Sequence, residues 1–257
     1  MSGGEASRLP DAAGYEAWLL RVGSLDFESG VLLPERAVTI DVNALLLRGR
    51  DETLLIDAGS GPADVIWPGA PEHMLDEALA AAGVERAQID TVVLTHLDFD
   101  HAGGALAGTW PDDVGAAFPR AVVSAVELGV LRPGEPEDWD VATRLIRLYG
   151  AAGALEAVED GVEFRPGLRL VSAPGHRPGN CVLLIGDELV HGADLVHHEE
   201  HLAHPEWDSA NDADPELALH TRRDWLTRLA TTGAPVVFSH MPGRGRVLPG
   251  GRWQPDA

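Results

Sequence analysis

The chain has 257 residues and a net charge of −22, and all 19 of its basic residues are arginines. Such an acidic chain repels phosphate backbones, which argues against nucleic acid as a partner, and the lack of lysine excludes Schiff-base catalysis. A single cysteine, Cys181, excludes an internal disulfide. No run approaches the roughly 20 apolar residues of a membrane helix, and the N-terminal residues lack a signal-peptide pattern. We therefore expect a cytoplasmic protein without membrane partners.

Strand-like and helix-like segments alternate along the first half of the chain. Residues 1–37 have weak periodicity and predict a less regular N-terminal arm. Two strand patterns, 38–48 and 52–56, are separated by a short turn and predict a hairpin. A helical pattern covers 71–82, and the apolar run 89–94 predicts a buried strand.

The second half repeats this alternation. Asp214 followed by Pro215 is a typical helix start, and we expect helices over 214–230 and 141–150. Strand-rich halves separated by helices predict an α+β fold, a sandwich of two mixed sheets flanked by helices, as a single domain over 1–257. The predicted strands of this half are 121–124, 168–172, 181–185 and 235–239.

The strongest chemical signal is the segment His96-Leu-Asp98-Phe-Asp100-His101, directly after the predicted strand 89–94. Four imidazole and carboxylate groups fall within six residues, and the rigid end of a strand can turn them toward one point. Imidazole and carboxylate together suit zinc and its first-row neighbours. A solvated acidic loop is the alternative, but composition alone produces such a segment in only about a few chains in a thousand. We interpret the segment as a metal-binding loop.

Three further residues of ligand type each follow predicted strands. His176 lies in a loop rich in proline and glycine, Asp194 follows an apolar stretch, and His240 directly follows the predicted strand 235–239. A lone histidine in such a loop is more often an exposed residue. Because all three share the strand-exit position with the metal-binding loop, we expect them to complete the same site.

Together these segments resemble the metallo-β-lactamase superfamily, whose pattern is a His-x-His-x-Asp-His loop with later His, Asp and His positions. Leu55-Ile-Asp57-Ala-Gly is similar to part of its opening hairpin, and Pro174-Gly-His176 and Gly192-Ala-Asp194 are similar to its later loops. The stretch 204–240 resembles the branch that contains lactonases and organophosphate hydrolases. The resemblance covers about 38–246 and implies the αββα sandwich of that superfamily.

The resemblance also implies two divalent metal ions, zinc in the first place, with iron or manganese as alternatives. Asp57 is then a supporting residue next to the ligands, Asp100 is the expected proton carrier, and Phe99 and His197 are expected substrate contacts. The implied ligands are His96, Asp98 and His176 for one ion, Asp100, His101 and His240 for the other, and Asp194 as the bridge.

Asp98 departs from the pattern, because the family usually has a histidine at this position. Aspartate is a harder and anionic ligand, which shifts the balance toward iron or manganese. It also lowers the net charge of the site, so the activated water should be less acidic. A weakly held or missing first ion is a further outcome that Asp98 allows.

The implied activity is hydrolysis, in which a metal-activated hydroxide attacks a lactone or a related carboxylic ester. Two alternatives stay open: a thioesterase or cyclase that acts on carrier-bound acyl chains, and a non-catalytic member of the fold that binds a metal or ligand. We expect a small-molecule substrate rather than nucleic acid. A homodimer is possible, and the N-terminal arm is where we expect its contact.

Overall fold

The computed structural model of the protein describes residues 4–61, 73–109, 113–130, 141–207 and 211–256. Among these residues, no helix is both long enough and apolar enough to span a membrane. The strands, in chain order, are β1 (Glu5–Ala12), β2 (Tyr15–Phe27), β3 (Val38–Arg48), β4 (Thr53–Ile56), β5 (Thr91–Leu94), β6 (Leu106–Thr109), β7 (Asp113–Ala116), β8 (Ala121–Ser124), β9 (Leu155–Val158), β10 (Glu163–Arg165), β11 (Leu168–Ser172), β12 (Cys181–Ile185), β13 (Leu189–His191), β14 (Val236–Val237), β15 (Gly245–Leu248) and β16 (Arg252–Pro255).

These strands form two mixed sheets and a small hairpin, β6-β7. The first sheet has the order β1-β2-β3-β4-β5-β8-β9, and the second has the order β10-β11-β12-β13-β14-β15-β16. In the first sheet, β4, β5, β8 and β9 run parallel to one another, and in the second sheet β13 and β14 do. The carboxyl ends of parallel strands lie at one edge of their sheet, so the residues that follow them are neighbours in space.

Helices cover the outer faces of the two sheets. Residues of α1 and α4 pack against the first sheet, and residues of α6 pack against the second. The helices are α1 (Leu75–Ala81), α2 (Phe99–Ala102), α3 (Ala125–Val130), α4 (Val141–Ala151), α5 (Glu200–Ala203) and α6 (Pro215–Thr232), with short 3₁₀ turns at Arg86–Gln88, Gly103–Ala105 and Ala193–Leu195.

Alternate side chains of the first sheet face two different apolar layers, as the period of a strand requires. Leu45 and Leu47 pack between the sheets with Leu54 of β4. Leu46 and Leu55 point the other way, into the layer beneath the helices. The layers therefore follow the predicted order of helices, sheet, sheet and helices.

The prediction of a less regular N-terminal arm over 1–37 is wrong for 5–27, whereas 28–37 contains no helix or strand. β1 and β2 form an antiparallel hairpin, and β2 pairs with β3 along its whole length. Leu20 and Val22 are buried in the core, so the strand alternation was present but was broken by the bulge between Arg21 and Gly23. Contact of this region with a second copy of the chain stays a prediction.

The other predicted elements differ from the structure mainly at their ends. Within the described residues, the helix expected over 71–82 is observed at Leu75–Ala81, and its predicted start at Pro71 lies outside them. The strand expected over 235–239 is limited to Val236–Val237. The α6 start is as predicted, because the side chain of Asp214 accepts a hydrogen bond from the amide of Leu217.

The two sheets are joined at the edge where their parallel strands end. The amide of Asn43 in β3 donates to the carbonyl of Ser239, and the Asn43 side chain donates to the carbonyl of Met241. The amide of Cys181 in β12 donates to the carbonyl of Thr95, just after β5. Loops from both sheets are therefore fixed against one another at this edge.

Candidate metal centre

The seven predicted ligand residues meet at this edge. His96 and Asp98 follow β5, and Asp100 and His101 lie in α2, which begins immediately afterwards. The other three residues come from loops of the second sheet or its continuations: His176 after β11, Asp194 after β13 and His240 after β14. Six of the seven are buried, and Asp98 is partly exposed.

The carboxylate of Asp194 lies at the centre of this group. Its Oδ1 is 3.2 Å from the His101 Nε2. Its Oδ2 is 3.3 Å from the His240 Nε2, 3.4 Å from the His176 Nε2 and 3.8 Å from the His96 Nε2. One carboxylate therefore faces imidazole nitrogens on both sides, which is the position that a bridging residue needs.

The donor atoms separate into overlapping groups. In each group, one ligand atom per residue lies within 4.8 Å of the others. These groups are His96, His176 and Asp194; Asp100, His101 and His240; and Asp194, His197 and His240.

Thr95 and Asp57 fix the tautomers of two of these histidines. Asp57 is fully buried and accepts hydrogen bonds from the Thr95 amide (2.9 Å), the Thr95 hydroxyl (2.8 Å) and the His101 Nδ1 (2.9 Å). The Thr95 hydroxyl has donated its proton, so it accepts from the His96 Nδ1 at 3.2 Å. In the neutral form of each ring, the Nε2 is left as a lone-pair donor that faces the site.

His240 and His176 are held in the same way by other partners. The His240 Nδ1 donates to the carbonyl oxygen of Asp41 at 2.8 Å, which leaves its Nε2 free of a proton in the neutral ring. The His176 Nδ1 donates to the Asp212 carboxylate at 3.1 Å. Asp212 also accepts from the buried guanidinium of Arg222 at 3.2 Å.

The spacing of these atoms fits a metal ion better than it fits hydrogen bonds. Two ligands of a tetrahedral zinc ion, each about 2.0–2.1 Å from it, lie about 3.3 Å apart. Most of the distances around Asp194 are near this value and exceed the usual 2.7–3.2 Å of an N–H···O bond. Within the described part of the chain, the buried His96 Nε2, His101 Nε2 and Asp194 Oδ1 have no hydrogen-bond partner. The cluster supports a divalent metal cofactor.

Burial and neighbouring charges shift the pKa values of the cluster in opposite directions. Burial would raise the pKa of Asp194, but His101 and His240 hold it well below its usual range. Burial would lower the pKa of His176, but Asp212 and Asp98 raise it to about 10. Asp194 is therefore an anion at neutral pH, and a cation that binds the His176 nitrogen competes with a proton.

Asp98 lies at the outer side of the cluster. Its Oδ2 is 3.1 Å from the His176 Nε2 and 3.5 Å from the His96 Nε2, and its Oδ1 forms an ion pair with Arg177 at 3.0 Å. Burial would raise the pKa of Asp98, but the hydrogen bond with His176 and the charges of His96 and Arg177 lower it. Asp98 is thus placed to present one oxygen to the same site as His96 and His176.

The two predicted substrate contacts differ in their surroundings. Phe99 begins α2 and is partly buried against the core of the first sheet. The His197 Nε2 is 3.3 Å from the Asp194 Oδ2, and its ring stacks on that of His240 at 5.3 Å. Burial lowers the pKa of His197 to about 4, although Asp194 opposes this shift, so its ring is neutral at pH 7. His197 lies inside the donor cluster, whereas Phe99 packs against the apolar core beneath the helices.

The sequence did not indicate the residues that support the ligands through hydrogen bonds on the side away from the metal centre. Asp212 and Arg222 follow no recognisable motif, and only the fold brings them to His176. Glu127 had a usable signal, because it follows the predicted strand 121–124 as the ligands follow theirs. Its buried carboxylate accepts from the amides of Leu97 and Gly179.

Comparison with known proteins agrees with this geometry. A family model described as the metallo-beta-lactamase superfamily matches residues 38–240. A Mycobacterium tuberculosis protein named as a probable metallo-hydrolase is 27% identical over 168 residues, which cover 56% of this chain and 52% of that protein. The N-acyl homoserine lactonase AiiB of Agrobacterium fabrum is 38% identical over 82 residues, 26% of this chain and 30% of that protein. The chain spans about half the length of the mycobacterial relative.

A solved structure extends the likeness to almost the whole chain. AidC, described as a dizinc quorum-quenching lactonase in complex with a product, superposes with a TM-score of 0.83. The two are 21% identical, and the match covers 99% of this chain and 98% of that chain. The predicted αββα sandwich is confirmed. Because the family model spans most of the chain, the protein belongs to the metallo-beta-lactamase superfamily.

Proposed function

We propose that the protein is a metal-dependent hydrolase that holds two divalent ions and cleaves an ester-type bond, with lactones and related carboxylic esters as substrates. The observation that carries this proposal is the Asp194 carboxylate between two groups of histidine Nε2 atoms, 3.2–3.8 Å away. A carboxylate with only a structural role needs fewer partners than the four imidazoles that surround Asp194. Zinc is the proposed metal, with iron or manganese as alternatives.

The proposed ligand sets follow the two sides of Asp194. When bound, the two ions supply Lewis acidity, which makes a water molecule more acidic and polarises the oxygen of a carbonyl group. Asp194 faces both sets, and the first set is completed by the Oδ2 of Asp98. The sets are His96, Asp98 and His176 on one side, and Asp100, His101 and His240 on the other.

Asp100 is the proposed proton carrier. Its Oδ2 is 3.6 Å from the His101 Nε2 and 3.5 Å from the His240 Nε2, and 8% of the residue is exposed. One of its carboxylate oxygens can accept a proton from the attacking water and pass it to the alkoxide that leaves the ester carbon. Asp57 and the Asp41 carbonyl keep His101 and His240 still while this proton moves.

His197 and Phe99 are the proposed substrate contacts. A neutral His197 can donate one hydrogen bond to a substrate oxygen without adding a positive charge to the metal centre. Phe99 follows Asp98 directly and offers apolar surface for the acyl or ring carbons of an ester. The likeness to proteins named as lactonases supports the choice of a lactone over other esters.

The test begins with metal content. Elemental mass spectrometry of protein purified without added metal should give close to two equivalents, and His101→Ala should lose at least one. His220→Ala is the matched control, because His220 is 74% exposed on α6 and pairs only with Asp224 among the contacts described. No metal in the native protein, even after zinc, iron and manganese are added, would overturn the proposal.

The second part compares substrates with the metal-loaded native protein. Lactones and aryl esters should be hydrolysed, and the rate should fall at least about 100-fold in His101→Ala, since one ion and its orientation are lost. Turnover confined to thioesters would replace the proposal with the thioesterase alternative. A filled centre with no turnover on any substrate would indicate a binding protein.

A further inference from the structure

Asp98 uses its two carboxylate oxygens for different purposes. The Oδ2 lies 3.1 Å from the His176 Nε2 and 3.5 Å from the His96 Nε2. The Oδ1 forms an ion pair with the Nη1 of Arg177 at 3.0 Å. One oxygen therefore faces the proposed metal ligands, and the other is occupied by the residue that follows one of those ligands in the chain.

Arg177 is in turn placed by a carboxylate that the proposed reaction does not use. Glu127 in α3 is 1% exposed, and its Oε1 is 3.7 Å from the Arg177 Nε. The same carboxylate accepts from the amide of Leu97 at 3.2 Å and from the amide of Gly179 at 3.0 Å. Glu127 thus ties the loop of Asp98 to the loop of His176.

The packing around Glu127 leaves little freedom for this arrangement. A Cβ on Gly179 would lie 2.5 Å from the Glu127 backbone, so the two segments touch directly. The Ser124 hydroxyl donates to the Gly179 carbonyl, and the Glu127 amide donates to the same hydroxyl. The side chain of Arg177 is 31% exposed, so it is held along one side only. Its position is set from the buried side, by Glu127 and Asp98.

We propose that Arg177 is a positioning residue that acts through Asp98: it holds the Asp98 Oδ2 toward His96 and His176, and its charge offsets that of the carboxylate. The inference rests on the proposed metal centre. A carboxylate alone rotates readily and can offer one or two oxygens to a metal, whereas an ion pair at Oδ1 favours Oδ2 as the oxygen that faces the metal. Asp98 and Arg177 then act together as one neutral donor.

This pairing changes the expectation that Asp98 makes the centre more anionic. The carboxylate adds one negative charge, and a guanidinium 3.0 Å away adds one positive charge that no physiological pH removes. The pair has the same net charge as a neutral imidazole. Removal of Arg177 should therefore matter where residue 98 is aspartate and should matter little where it is replaced by histidine.

The experiment is a double-mutant cycle on metal affinity. Zinc dissociation constants are measured with a competing chromophoric chelator for the native protein, Arg177→Gln, Asp98→His and the double variant. We expect Arg177→Gln to weaken binding of the ion held by His96, Asp98 and His176 about 10- to 100-fold. In the Asp98→His background the same change should be below about threefold. Arg177→Lys keeps the positive charge but not the planar guanidinium with its paired N–H groups, and should recover part of the lost metal affinity.

Cobalt substitution gives a second readout that depends on ligand geometry rather than on stability. The visible absorption of the cobalt protein should change with Arg177→Gln in the native background and stay unchanged with it in the Asp98→His background. Arg169→Gln is the control, because Arg169 makes an exposed ion pair with Glu163 on β10. Circular dichroism and thermal melting establish that each variant is folded. If Arg177→Gln fails to fold, the cycle is run with Arg177→Lys.

The outcomes separate this inference from the proposed function. Native protein that binds no metal would overturn both. Two ions in the native protein and an equal loss of affinity from Arg177→Gln in both backgrounds would overturn only the role of Arg177 through Asp98. No loss in the native background would do the same.

Discussion

The two ends of the central strands β4 and β5 carry similar groups with opposite consequences. At the amino ends, the Glu52 carboxylate accepts from the hydroxyl of Thr91 and from the guanidinium of Arg165, both at 2.7 Å. At the carboxyl ends, Asp57 accepts from the hydroxyl of Thr95 at 2.8 Å and from His101 at 2.9 Å. Each end thus has a carboxylate that accepts from a threonine hydroxyl and from a basic side chain.

The two ends differ in the further partner of the basic side chain. Arg165 of β10 also pairs with Glu156 of β9, so the network closes on itself and ties the two sheets together. His101 instead turns its Nε2 toward Asp194 at 3.2 Å, and among the described residues this nitrogen has no hydrogen-bond partner. A closed network stabilises the fold, whereas an open one leaves a donor available for a ligand.

The largest effect should come from Asp57→Asn. This change keeps the shape of a fully buried side chain but turns one of its acceptor oxygens into a donor, which faces the Thr95 and His101 donors. We expect the free energy of unfolding to fall by about 3 kcal/mol. Urea unfolding with a chelator present throughout measures this without a contribution from metal binding.

A loss as small as that from the corresponding change at the other end, Glu52→Gln, would contradict the contrast between the two ends. The same Asp57→Asn protein should also bind zinc about 10- to 100-fold more weakly, because His101 loses the partner that orients it.

Asp212→Asn tests whether the Asp212 carboxylate is as important for His176 as the Asp57 carboxylate is for His101. Asp212 accepts from His176 at 3.1 Å and from the buried Arg222 at 3.2 Å, and the amide can still accept one of these bonds. We expect zinc affinity to fall about 10- to 100-fold and the free energy of unfolding to fall by about 2 kcal/mol. Chelator competition and urea unfolding give the two values.

Asp224→Asn is the control for Asp212→Asn, since Asp224 is 70% exposed and pairs with His220 on the surface of α6. It should leave both quantities unchanged. Unchanged zinc affinity in Asp212→Asn would mean that His176 is oriented by its loop rather than by this carboxylate.

The same contrast explains which features the sequence allowed us to predict. The ligand residues sit at strand exits, and strands give a local periodic signal, so both the motif His96–His101 and the later positions could be recognised. Asp57 also follows a strand, but only the family resemblance indicated its supporting role. The family resemblance then supplied the grouping of the ligands, which spacing alone did not.

The supporting residues could not be predicted because their partners are distant in sequence. His176 and Asp212 are 36 residues apart, and Leu97 and Glu127 are 30 apart. Nothing in the local pattern of either segment indicates the contact, which arises only when the sheets pack. The N-terminal hairpin was missed for a different reason, since a bulge in β2 shifts its alternation out of register.

The smallest effect, and the one most dependent on pH, should come from Glu52→Gln. Burial would raise the pKa of Glu52, but hydrogen bonds from Arg165 and Thr91 hold it below the ordinary value of 4.5. A depressed pKa in the folded state contributes stability that is present above pH 4.5 and is lost as the pH falls through the folded value. Glu52→Gln should therefore cost about 1 kcal/mol at pH 7 and less below pH 4.

Urea unfolding between pH 3 and pH 8 measures this dependence. In an Arg165→Gln background the same substitution should cost less, because only the ion pair with Arg120 and the hydrogen bond from Thr91 remain. If the free-energy cost of Glu52→Gln stays constant with pH, Glu52 acts by packing rather than by charge. The amino ends of β4 and β5 would then differ from the carboxyl ends in the type of interaction as well as in the size of the effect.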